Sequence, residues 1–94
     1  MRYPSKVRIT AKQAYEVVWV DEFVNPENVG ECRLNSKQIV LKKGENKLET
    51  ESTFLHELLH CIEFEYKLKI PHQVIYDLEG PLLKVLKLNG WVKK

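Results

Sequence analysis

The sequence predicts an α+β domain in which a small antiparallel β-sheet precedes a two-helix hairpin. The N-terminal half carries short aromatic and β-branched runs broken by turn-forming clusters. The C-terminal half spaces its apolar residues three and four apart over two stretches divided by a proline. A length of 94 residues fits one domain, 1–94. A chain this short buries a modest core, and a bound metal is one common supplement.

Val7 to Thr10 starts a strand or leads into one. Tyr15 to Val20 favours a strand through its aromatic and β-branched content. Asn25-Pro26-Glu27-Asn28 reads as a turn, with Gly30 after it. Glu31 to Leu34 and Gln38 to Leu41 flank Asn35-Ser36-Lys37 as a β-hairpin. Thr50 or Ser52 then caps a helix running to about Tyr66, with glutamates near its start, where the helix dipole favours them. Phe54, Leu55, Leu58, Leu59 and Ile62 form its buried stripe. Ile70-Pro71 interrupts, because the residue before a proline is pushed out of the helical region. A second helix opens at Pro71 or His72, carries Val74, Ile75, Leu78, Leu82, Val85 and Leu86, and ends near Asn89-Gly90. Gly80-Pro81 inside it predicts a kink directly after Glu79.

Composition narrows the function classes. With 44% hydrophobic and 30% charged residues the chain reads as a soluble globule, and a net charge of +2 is too small to argue for nucleic acid or membrane. Residues 45–65 hold six glutamates against one lysine, which disfavours a phosphate-backbone ligand there. Residues 80–94 hold four lysines and no acid, read as a solvated C-terminal face. No apolar run approaches the ~20 residues of a membrane helix, and Met1 to Thr10 does not read as a signal peptide. Cys32 and Cys61 lack CxxC spacing and are too few for a disulfide framework. The expectation is a cytoplasmic protein with two reduced thiols.

Residues 56–60 read His-Glu-Leu-Leu-His. On a helix, positions i and i+4 share a face, so both imidazoles can reach one zinc ion, Zn2+. Zinc lowers the pKa of bound water towards ~7 and polarises a carbonyl, while Glu57, one residue along, takes the water's proton as catalytic base. A catalytic zinc site needs a third protein ligand. Candidates downstream are Glu63, Tyr66, His72, Asp77 and Glu79. The metzincin pattern fails, because Glu63 and Tyr66 stand where it requires glycine and histidine. If the helices turn near residues 69 and 70, residue 79 lies opposite 59 and 60, and residue 72 opposite 66 and 67. His72 is then roughly 10 Å along the axis from the metal at ~1.5 Å per residue, and Glu79 becomes the third ligand. His72 lines the cleft as a transition-state donor, or else caps the second helix. Cys61 points about 100° away from His60 and reads as core. Tyr66 and Tyr76 read as half-buried packing before oxyanion donors.

The stretch Thr53 to Trp91, with TFLHELLH on one helix and IYDLEGPLLKVL on the next, resembles small gluzincin-like metallopeptidases, including short zincin-like proteins of phages and mobile elements. Gly30-Glu31 and the run to Val40 are similar to the sheet segment preceding the motif in such proteins. The resemblance implies a zincin-like fold and a glutamate ligand from the second helix. It also implies hydrolysis of peptide bonds in a peptide or protein substrate, with a sheet edge binding that substrate as an added strand. Gln38, Ile39 and Val40, in the strand Gln38 to Leu41, are the edge it points to. The competing expectation is a zincin-fold binding or regulatory module whose zinc is structural.

Overall fold

A computed structural model describes residues 3–90; Trp91 and the terminal lysines lie outside the described residues. Four strands and two helices follow in the order β1 (Lys6–Arg8), β2 (Ala14–Val20), β3 (Gly30–Arg33), β4 (Gln38–Lys42), α1 (Lys47–Glu65) and α2 (His72–Leu88). The α+β class is as the sequence predicts, and the sheet-then-helices order is kept. No helix among the described residues is long and apolar enough to cross a membrane.

The sheet is mixed rather than antiparallel. Its spatial order is β1-β2-β4-β3, with β1·β2 and β3·β4 antiparallel and β2·β4 parallel. After β2 the chain passes over one strand position, descends as β3 on the far edge, and returns through the 34–37 turn as β4 to fill the gap. Lys37 closes that turn at φ 57°, in the left-handed region. Local patterning finds the hairpin but not the strand order, which depends on contacts distant in sequence.

This topology overturns Gln38, Ile39 and Val40 as a substrate-binding edge. Gln38 pairs with Glu16 of β2 and with Arg33 of β3, and Ile39 with Val17 and Cys32. Both backbone sides are consumed, and Ile39, Val40 and Leu41 are all fully buried. The outer edges belong to β1 and β3, and β3 is the one packed against α1.

Tyr15 and Val17 of β2 and Ile39 and Leu41 of β4 form one apolar face, which packs on Phe54 and Cys61 of α1, with Leu58 and Ile62 partly buried alongside. Asn46 caps α1 four residues earlier than the first expected position, Thr50. Its Oδ1 accepts from the Glu49 N–H at 2.8 Å, and Thr50 becomes an interior residue bonded back to the Asn46 carbonyl. At the other end Tyr66 is the C-cap.

The expected kink is not seen as a break: α2 runs as one helix through Pro81. Gly80, Pro81 and Asp77 are exposed, so the carbonyl that loses its donor four residues before the proline faces solvent. Only Ile75 and Leu83 of α2 are buried, while Val74, Leu78, Val85 and Leu88 are exposed. Lys87 Nζ bonds the fully buried Glu51 and ties the end of α2 to the first turns of α1. Burial pushes the Glu51 carboxyl up, but its cationic partners, Lys87 first among them, together hold it below the usual range.

Candidate metal centre

His56 and His60 lie one turn apart on α1, on the face opposite the apolar stripe, and their rings meet edge to face at 4.8 Å. His60 Nε2 is 3.2 Å from His56 Nε2. The third partner is His72, whose Nε2 is 3.1 Å from His56 Nε2. One ligand atom from each of the three histidines lies within 4.8 Å of the others.

His72 is in this group and Glu79 is not, a grouping that differs from the one expected. Glu79 Oε2 bonds His56 Nδ1 at 2.7 Å, on the side of the ring away from the cluster. The reason is the connection between the helices. Its residues do not turn at the helix end but fold back along α1: Leu68 N–H bonds the Glu63 carbonyl and Ile70 N–H bonds the Glu63 carboxylate at 2.9 Å. Pro71, extended at ψ 140°, then starts α2 beside the penultimate turn of α1. The hairpin register is shifted by about one helical turn. Glu79 therefore meets His56 rather than His60, and the long His72 side chain spans the remaining distance to the pair.

Glu63, set aside from the sequence, acts twice. Its Oε2 pins the connection at Ile70, and its Oε1 lies 3.4 Å from His60 Nδ1. The i, i+3 spacing from His60 is the signal that could have found it. Carboxylates only accept, so Glu79 and Glu63 hold protons on the Nδ1 atoms of His56 and His60 and leave both Nε2 lone pairs inward. Those lone pairs face each other at 3.2 Å, a pairing that neither ring's proton satisfies and a shared cation does. Tetrahedral zinc with bonds of about 2.0–2.1 Å would set its nitrogens about 3.3 Å apart. The donor set thus fits zinc, with His56, His60 and His72 as the residues that would hold it. Burial is the main cause lowering the His60 pKa, with His56 and His72 adding to it against Glu63, which favours the neutral, ligating imidazole.

Glu57 stands where the motif places it, half-buried next to His56. Burial raises its pKa, and Glu31 and Glu79 add to the rise while His56 opposes it. Gly30 on β3 lies against it: a Cβ there would collide with Thr53 Cγ2 and sit 3.3 Å from Glu57 Oε2. Glycine is what lets the edge strand approach α1 this closely. Two cavities meet at Glu57. One, of about 440 Å³, is bordered by residues 27–30 with Thr53, His56, Tyr76 and Glu79. The other, of about 620 Å³, is bordered by Cys32, Leu34, His60, Phe64 and Leu68. Tyr76 stacks on His72 with centroids 4.7 Å apart and planes 11° apart. Tyr66 is committed elsewhere, its hydroxyl donating to the Ile9 carbonyl at 2.9 Å.

Comparison with protein-family models, with curated proteins and with solved structures finds no match to this chain.

Proposed function

We propose that this protein is a zinc-dependent peptidase. The observation that carries the reading is the convergence of His56, His60 and His72 Nε2 beside Glu57, at the edge strand β3. Held by the three imidazoles, zinc would polarise the scissile carbonyl and acidify the attacking water.

The chain's own residues do the rest. Glu57, raised by burial towards the working range of a base, takes the proton from the water and delivers it to the leaving amine. Glu79 and Glu63 keep the His56 and His60 rings turned with Nε2 inward. The outer side of β3 is unpaired among the described residues, so an extended peptide can add there as a strand and pass Glu57 at Gly30. The cavities to either side would take side chains of that peptide, the larger one lined by apolar Leu34, Phe64 and Leu68. On this reading the substrate edge is β3, one strand outward from Gln38–Val40.

The test is Glu57→Gln, which keeps the shape and reach of the side chain but cannot accept the proton. Zinc content and Tm should stay at the wild-type level while cleavage of a broad peptide library falls by at least ~10²- to 10⁴-fold. Equal cleavage by both proteins would refute the role of Glu57. Zinc bound with cleavage by neither would favour the binding module with a structural metal.

A further inference from the structure

Cys32 on β3 and Cys61 on α1 take no part in the metal centre, yet their Sγ atoms are 2.9 Å apart. That is within about 1 Å of the ~2.05 Å of a covalent S–S bond. Both residues are free thiols. Their accessibility differs: Cys61 is fully buried in the core, whereas Cys32 is half-buried and lines the 620 Å³ cavity beside Glu57 and His60. A small oxidant can therefore reach one sulfur, and the other has a single sulfur within reach.

We propose that Cys32 and Cys61 are a redox modification site, closing to a reversible disulfide that staples the edge strand to the metal-site helix. The oxidant is a hydroperoxide. Cys32 sulfur takes the terminal peroxide oxygen and becomes a sulfenic acid, the alcohol (water, for hydrogen peroxide) leaving. Cys61 sulfur then attacks the sulfenic sulfur, the S–S bond forms, and water leaves. Two thiols and one peroxide give one disulfide, one alcohol and one water. A dithiol reverses it by exchange through a mixed disulfide.

The two cysteines are 29 residues apart in sequence. Closing a loop of that size restricts the unfolded chain, and the link fixes the spacing between β3 and the helix bearing His60. Bond formation does not depend on the peptidase reading; only its consequence for the substrate edge rests on it.

The zinc-loaded chain is treated with one equivalent of hydrogen peroxide and digested without reductant. The expected product is one fragment joining the Cys32 and Cys61 peptides within a monomer, lighter by two hydrogens and restored by dithiothreitol. The Tm of the oxidised chain should rise by about 10–20 °C. Cys32→Ser and Cys32→Ala should abolish both changes while keeping the zinc content of the reduced wild type. Oxidation that stops at sulfenic or sulfinic acid on Cys32, a link between two chains, or an unchanged Tm after linkage would overturn the proposal. Metal content is measured on the same samples, so linkage in a chain that holds no zinc would support this site and count against the metal centre alone.

Discussion

Replacing His72 with alanine should weaken zinc binding more than replacing Glu79 with glutamine, the reverse of the order read from the sequence. His72 Nε2 lies 3.1 Å from His56 Nε2, inside the donor cluster, whereas Glu79 touches His56 only through Nδ1, one ring away. Zinc held by four ligands is worth about 10–16 kcal/mol, or about 2.5–4 kcal/mol per ligand. Loss of one ligand then weakens binding by about 10²- to 10³-fold. Loss of an outer carboxylate costs about 10- to 100-fold, and glutamine retains an acceptor for the Nδ1 proton, which favours the lower end. A competition titration against a chromophoric zinc chelator, at fixed pH and with both variants checked for folding by circular dichroism, reads the two losses directly. The same samples without metal should melt earlier than with it, since binding to the folded chain alone stabilises it. If Glu79→Gln gives the larger loss, the register described above is wrong and a two-histidine, one-glutamate site replaces it. Equal, small losses from His72→Ala and Glu79→Gln would remove α2 from the metal centre altogether.

Two further outcomes follow from other parts of the fold. Gly30→Ala should cost about 1–3 kcal/mol through overpacking against Thr53, seen as a Tm drop of roughly 4–8 °C per kcal/mol; adding Thr53→Ser, which removes the colliding methyl, should recover most of it, and no recovery would refute the contact. Lys37, and secondly Tyr15, holds the Glu65 carboxyl below its ordinary 4.5, so the stability it contributes is full above that pH and is lost as pH falls through the lowered value. Lys37→Met should therefore lower Tm near neutral pH and converge with wild type in acid; a Tm difference that persists unchanged at low pH would count against the ion pair.

The predicted class and most element positions are local properties, which is why they are legible. Tyr15–Val20 and the Glu31–Leu41 hairpin follow from β-branched and turn residues, and α1 follows from the spacing of Phe54, Leu55, Leu59 and Ile62. The start of α1 is harder to read, because Asn46 caps through its own side chain and the mostly polar residues 47–53 separate it from the apolar stripe that begins at Phe54. How much of the second helix is covered is not legible in the sequence, since periodicity shows that an apolar stripe exists but not whether anything packs on it, and Val74, Leu78 and Val85 stay exposed.

At the candidate metal centre the sequence by itself determined what one helix can determine: His56 and His60 on one face with Glu57 one residue along, because 3.6 residues per turn fixes that arrangement without reference to the rest of the chain. The third histidine was a tertiary decision. It hangs on Glu63 drawing Ile70 back along α1, a side-chain bond from a residue seven positions earlier that shifts the hairpin by about one turn and brings His72 rather than Glu79 to the His56 Nε2 side. The sheet edge was decided in the same way: residues 38–42 and 30–33 are both good strands, and only the parallel pairing of β4 with β2 makes β3 the outer one. Cys32 and Cys61 meet for the same reason, a strand and a helix brought together by the packing of a shared core rather than by any spacing in the sequence.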